Sequence, residues 1–102
     1  MKECCRTYLT EQFGDDAEVV EAIYAEYVSS VNAKMAEAGT ALDTGTWDVL
    51  DRAAHTIKGN ALAAGDRQMA NAAIALRNAA KLQERDLAER HIANLRELAE
   101  QL

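Results

Sequence analysis

His55, Lys58 and Gly59 stand at i, i+3 and i+4 in a segment whose apolar residues recur at helical spacing, so all three share one side of a helix. An imidazole in water is largely neutral at cytoplasmic pH and offers a nucleophilic ring nitrogen. A lysine one turn away is a point charge able to neutralise an anion attached to that ring. Gly59 is the informative member of the set. A glycine inside a helix costs about 1 kcal/mol relative to alanine, and this one sits among alanines. Its missing Cβ would let another molecule approach the ring from that side. At about 100° per residue, Asp48, Asp51, His55, Lys58, Gly59 and Leu62 project onto a strip beside the apolar face of Trp47, Leu50, Ala54, Ile57 and Ala61. His55 is therefore expected to be exposed.

The elements that must hold this strip are helices. The chain has 102 residues, 49% of them hydrophobic and 27% charged, with no proline, which predicts one compact domain spanning 1–102. It is rich in alanine and leucine and only 5% aromatic, a composition suited to close-packed helices, and five glycines give too few turns for a β-sandwich. A short helix over roughly 3–12 should end at Gly14, and Asp15 with Glu18 reads as a carboxylate capping box opening a second helix. That helix, with Val20, Tyr24, Tyr27, Val28, Val31 and Met35 in its stripe, is expected over roughly 16–38, and Gly39–Gly45 is expected to reverse the chain. Thr46 reads as the N-cap of the histidine helix, which should end near Ala64 before Gly65. Asp66 caps the next helix, which carries Met69, Ala73, Leu76 and Ala80. From Asp66 to Leu102 there is neither glycine nor proline, so one helix of about 35 residues can be written. A break at Gln83-Glu84-Arg85 with Asp86 as N-cap is preferred, because Leu82 falls off the stripe and the apolar faces are buried only if the last segment folds back. The expected fold is all-α, an antiparallel four-helix bundle with a short additional N-terminal helix.

A formal net charge of −6, from 17 acidic and 11 basic side chains, argues against nucleic acid as a partner. No apolar run approaches the ~20 residues of a membrane span, and the first residues lack the apolar stretch of a signal peptide. A soluble, cytoplasmic protein without membrane attachment is expected. Cys4 and Cys5 are neighbours, poor geometry for a bridge, and read as incidental thiols. No metal site is expected: Asp51 and His55 at i, i+4 supply two ligands and no third. His91 projects near the apolar stripe of the last helix and reads as a packing histidine.

The string His55-Thr56-Ile57-Lys58-Gly59-Asn60-Ala61-Leu62-Ala63-Ala64-Gly65 resembles the signature of histidine-containing phosphotransfer (HPt) domains of bacterial phosphorelays. That pattern has a histidine, an apolar residue at +2, lysine at +3, glycine at +4, a small polar residue at +5 and glycine at +10. The likeness runs over roughly residues 13–101, from the Phe13-Gly14-Asp15-Asp16 break onward, and includes Trp47 near the start of the histidine helix. It implies that His55 accepts a phosphoryl group from a receiver-domain aspartyl-phosphate and passes it to another receiver, that Lys58 screens the phosphoryl charge, and that Gly59 gives access. Receiver domains of response regulators are the implied partners, with a hybrid sensor histidine kinase as a further candidate. The chain itself would need no cofactor, Mg²⁺ belonging to the receiver, and would have no kinase activity of its own, since it lacks a glycine-rich nucleotide loop.

Two positions depart from the pattern. The residue before Gly65 is usually bulky and is Ala64 here, which implies a turn that is loosely packed or filled from elsewhere. At +22, where some members place a glutamine that orients the imidazole, stands Arg77, either a bidentate partner of the phosphoryl group or a simple surface pair. The docking surface is expected around Leu62, with Tyr8, Leu9 or Phe13 of the first helix as additions. The alternative function is a helical protein-binding module, a divergent HPt fold in which His55 is inert.

Overall fold

The computed structural model describes residues 1–102, which form five helices and no strand: α1 (Glu3–Phe13), α2 (Ala17–Thr44), α3 (Trp47–Ala63), α4 (Arg67–Leu82) and α5 (Arg85–Glu100). Each of α2 to α5 turns one apolar stripe inward. Helix α2 packs against α3 and α5, α4 packs against the same two, and α1 lies on α2. Their stripes merge into one core of 27 buried residues, among which Leu9, Leu50, Ile57, Met69, Leu76, Ile92 and Leu95 are almost wholly enclosed. Alanines supply much of this core, and their small volume lets the helices approach closely. No helix is long and apolar enough to cross a membrane.

The boundaries correct three sequence expectations. Helix α2 does not stop at residue 38: it continues through Gly39 to Thr44. The stripe goes on past the glycine with buried Ala38, Ala41 and Leu42, and that burial outweighs the ~1 kcal/mol a helical glycine costs. A Cβ at Gly39 would meet only the tip of the Arg96 guanidinium, at 2.9 Å, which a flexible side chain can move aside. Reversal needs only Gly45, left-handed at φ 70°, whose N–H donates to the Ala41 and Leu42 carbonyls. The α2 cap is Asp16, not Asp15: its carboxylate accepts from the Glu18 and Val19 amides. The last two segments are separate helices, but the N-cap of α5 is Glu84 and not Asp86, because Gln83 itself takes the left-handed conformation that ends α4. Thr46 does occupy the N-cap of α3, yet its hydroxyl pairs with Thr44 at 2.7 Å and caps nothing.

The end of the molecule beyond Gly65 is held by a buried polar node. Asp66 is wholly buried. Its carboxylate caps α4 by accepting from the Met69 amide at 3.2 Å, accepts from the Tyr27 hydroxyl at 2.7 Å, and pairs with the Lys2 ammonium at 2.9 Å. The Lys2 amide donates to the Tyr24 hydroxyl, so the start of α1 is tied to both α2 and the α3–α4 turn. Burial pushes Tyr27 and Tyr24 above their ordinary range, the Asp66 hydrogen bond raising Tyr27 further, and burial followed by the neighbouring Cys4 pushes the Cys5 thiol up to about 12. Burial alone would lower Lys2, but the hydrogen bond and charge of Asp66 outweigh it and hold the ammonium above its ordinary value.

All four shifts are upward, so the protonated form of each group is the one the fold favours, and the associated stability is complete below the unfolded values and lost as pH rises through the folded ones. The thermal midpoint followed by circular dichroism should be insensitive to these groups up to about pH 8.5 and fall progressively above the ordinary cysteine value of 9.0. Cys5→Ala should flatten the first part of that fall. A midpoint that holds to pH 11 would show the node to be solvated in solution.

Candidate functional site

Helix α3 presents the strip read from the sequence. Leu50, Ala54, Ile57 and Ala61 are buried and Trp47 is half-buried, which fixes the rotation of the helix and turns His55, Gly59 and Leu62 outward. His55 is exposed, and the side-chain bonds along α3 involve Asp48, Asp51, Arg52 and Thr56, leaving His55 and Lys58 without a protein partner. Lys58 is half-buried one turn on, and its ammonium has no acceptor within the chain. Nothing lies within 4 Å of the place a Cβ on Gly59 would occupy. The glycine is thus not demanded by any contact within this chain.

Arg77 is brought to the same strip from α4. Its Nε donates to Asp51 Oδ1 at 3.0 Å, across 26 positions of sequence, with the two side chains only 30% and 26% exposed. Of the two roles open to Arg77 in the sequence, a phosphoryl partner or a simple surface pair, the structure contains a pair, with Asp51 and partly buried between α3 and α4, one turn before His55. No group of three or more ligating side chains is present, and Asp51 is occupied by the arginine.

Around the strip, Leu62 is 48% exposed and Ile74 of α4 41%. Phe13 is exposed at the end of α1, whereas Leu9 is wholly buried and is removed from the docking candidates, because α1 uses it to hold on to the core. Tyr8 is half-buried against the α3–α4 turn. Gly65 has φ 75°, and a Cβ there would collide with the Tyr8 side chain. That turn is therefore filled by α1 and not by the residue before the glycine; beside the small Ala64 a shallow groove lined by Ile23, Tyr27 and Ala63 opens between α2 and α3. His91 is half-buried on α5. Cys4 is exposed and Cys5 buried, both free thiols, with their sulfurs in hydrogen-bond contact at 4.0 Å.

Sequence reasoning missed the Asp51–Arg77 pair and the Lys2–Asp66–Tyr27 node. Both join residues far apart in the chain, and no local spacing announces either.

On an all-helical protein, α3 thus carries an exposed, unpartnered imidazole, an ammonium without a protein acceptor and a mid-helix glycine with open space beside it. The family model for the Hpt domain matches residues 22–102, and the chain belongs to that family. The match takes in all of α3, α4 and α5 and most of α2, and leaves α1 outside it. No curated protein and no solved structure gives a significant match to the chain. Membership carries histidine phosphotransfer in phosphorelays, with receiver domains as the general partners, at the level of the family.

Proposed function

We propose that this chain is a phosphorelay intermediate in which His55 takes a phosphoryl group from a receiver-domain aspartyl-phosphate and delivers it to the aspartate of a second receiver. The observation that carries this reading is Gly59: a mid-helix glycine with open space around it, one turn beyond an exposed and unpartnered histidine. The chain's own packing gains nothing from it, and an approaching partner does. The four helices α2–α5, each packed on two of the others, are read as the antiparallel bundle of the family, with α1 as an added helix and residues 1–102 as one domain. Membership of a phosphorelay family supports a cytoplasmic site of action.

In the transfer, the lone pair of an exposed ring nitrogen of His55 attacks phosphorus. The N–P bond forms as the acyl O–P bond breaks, the receiver's aspartate leaves as carboxylate, and the proton on the other ring nitrogen stays where it is. The second receiver reverses these bonds with its own aspartate. Lys58 neutralises charge on the transferred group, Arg77 is a second cation on the opposite side of His55 along the helix, and Leu62 supplies apolar surface for docking. Mg²⁺ belongs to the receivers, which also hold the high-energy carboxyl phosphate, so this chain contributes presentation and positioning.

The test is transfer of labelled phosphate from a panel of receiver domains charged with acetyl phosphate. Label that appears on this chain, survives alkali and is lost in acid identifies phosphohistidine. No uptake from any receiver would favour the inert binding module.

Gly59 separates access from stability, because filling its position acts on the two in opposite directions. Gly59→Ala should stabilise the helix by about 0.5–1 kcal/mol, whereas Gly59→Trp should leave the fold intact and slow transfer at least tenfold. Undiminished transfer by the tryptophan variant would place the receiver's approach on another side of the ring.

A further inference from the structure

We infer that Asp51 is a positioning residue for phosphotransfer, holding Arg77 against α3 so that the guanidinium meets the phosphoryl group on His55. This rests on the reading of His55 as the phospho-acceptor. Asp51 and His55 are at i, i+4, which puts their Cβ atoms about 5–6 Å apart on one side of α3. Arg77 comes from α4 and gives only its Nε hydrogen to Asp51 Oδ1. A guanidinium has five N–H donors, so the four on its Nη atoms are unspent, and no protein acceptor engages them.

A long arginine side chain left to itself samples many rotamers, most of them in water. The partial burial of this pair removes that freedom before any phosphoryl group arrives. Arg52, the neighbouring cation on α3, cannot take the role in the same way: it pairs with Asp48, one turn further from His55, and both side chains are more than 70% exposed. Lys58 and Arg77 therefore bracket the imidazole from the two directions along the helix. The phosphoryl group adds about two negative charges and three acceptor oxygens at that point. Asp51 acts on the reaction only through Arg77, since its own charge repels the phosphoryl group.

These opposed effects of Asp51 are separable by a double-mutant cycle. His55 is phosphorylated with potassium phosphoramidate or from a charged receiver, and the second ionisation of the phosphoryl group is followed by ³¹P NMR. Arg77→Ala should raise that ionisation by about 0.2–0.7 pH unit, the size expected for an exposed charge pair. In an Asp51→Asn background, which keeps an acceptor for Nε, the Arg77→Ala shift should persist. In an Asp51→Ala background it should drop to less than half. Circular dichroism of each variant confirms that the comparison is made on folded protein. Arg77→Ala shifts of equal size in all three backgrounds would overturn the positioning role of Asp51, and no shift in any of them would also remove Arg77 from the site. If His55 takes phosphate from neither donor, the phospho-acceptor reading itself falls, an outcome distinct from both.

Discussion

Replacing His55 by glutamine should abolish phosphate uptake from every receiver that labels the unaltered chain, a loss of more than a hundredfold, while the helical circular dichroism and the thermal midpoint stay as they are. Glutamine is close in size and polar, and its neutral amide nitrogen is not a nucleophile, so the change removes the reacting lone pair without removing a packing contact. The structure makes the second half of the expectation strong: His55 is exposed and unpartnered, and the core face of α3 is formed by Leu50, Ala54, Ile57 and Ala61. Substitutions at such surface positions ordinarily change stability by no more than about 0.5 kcal/mol. Label that persists in His55→Gln would move the acceptor elsewhere, and His91, half-buried on α5, would be the next to examine. A collapse of the helical signal would mean that the histidine supports the fold.

The largest stability effect is expected at Asp66. Asp66→Ala removes the side-chain cap of α4 and leaves the buried Tyr27 hydroxyl and the partly buried Lys2 ammonium without their acceptor. Breaking a buried ion pair from one side costs about 3–5 kcal/mol, and for a domain of this size that corresponds to a fall of roughly 15–30 °C in the thermal midpoint. Tyr27→Phe, which loses one hydrogen bond but keeps the ion pair, should cost only about 1–2 kcal/mol. A loss below about 1 kcal/mol for Asp66→Ala would show that water reaches the node. Asp66 lies eleven positions beyond His55, past the α3–α4 turn, so the fraction of Asp66→Ala that remains folded should still accept phosphate at the normal rate. The two variants thus divide the molecule: one keeps the fold and loses the chemistry, the other keeps the chemistry and loses stability.

The N-terminal helix acquires a purpose from the same node. It lies outside the stretch matched by the Hpt family model, yet it buries Cys5 and Leu9, sends Lys2 to Asp66 and lays Tyr8 over Gly65. Ala64 fills little of the turn before Gly65, and α1 supplies the missing cover from outside the local sequence.

Local sequence determined the helices and the chemistry they present. Apolar residues at threes and fours fix which side of each helix turns inward, and since a helix is a rigid rod with about 3.6 residues per turn, they also fix the opposite side, where His55, Gly59 and Leu62 are found. The unusual glycine was legible for the same reason, because its cost is local and needs no knowledge of neighbours. Helix ends were legible where one residue acts alone, as Gly14, Gly65 and the capping Asp66 do. Gly39 misled, because whether a helix continues past a weak former depends on what its far side buries, here Ala38, Ala41 and Leu42 in the core, and Asp86 misled because Gln83 ends α4 one turn earlier. The ion pairs lay wholly beyond the sequence. Asp51 with Arg77 and Asp66 with Lys2 join residues 26 and 64 positions apart, and a charge has no periodicity that reveals its partner. Only the packing of α4 on α3, and of α1 on the α3–α4 turn, brought those groups within 3 Å and decided which charges are spent within the protein and which, like Lys58, remain free.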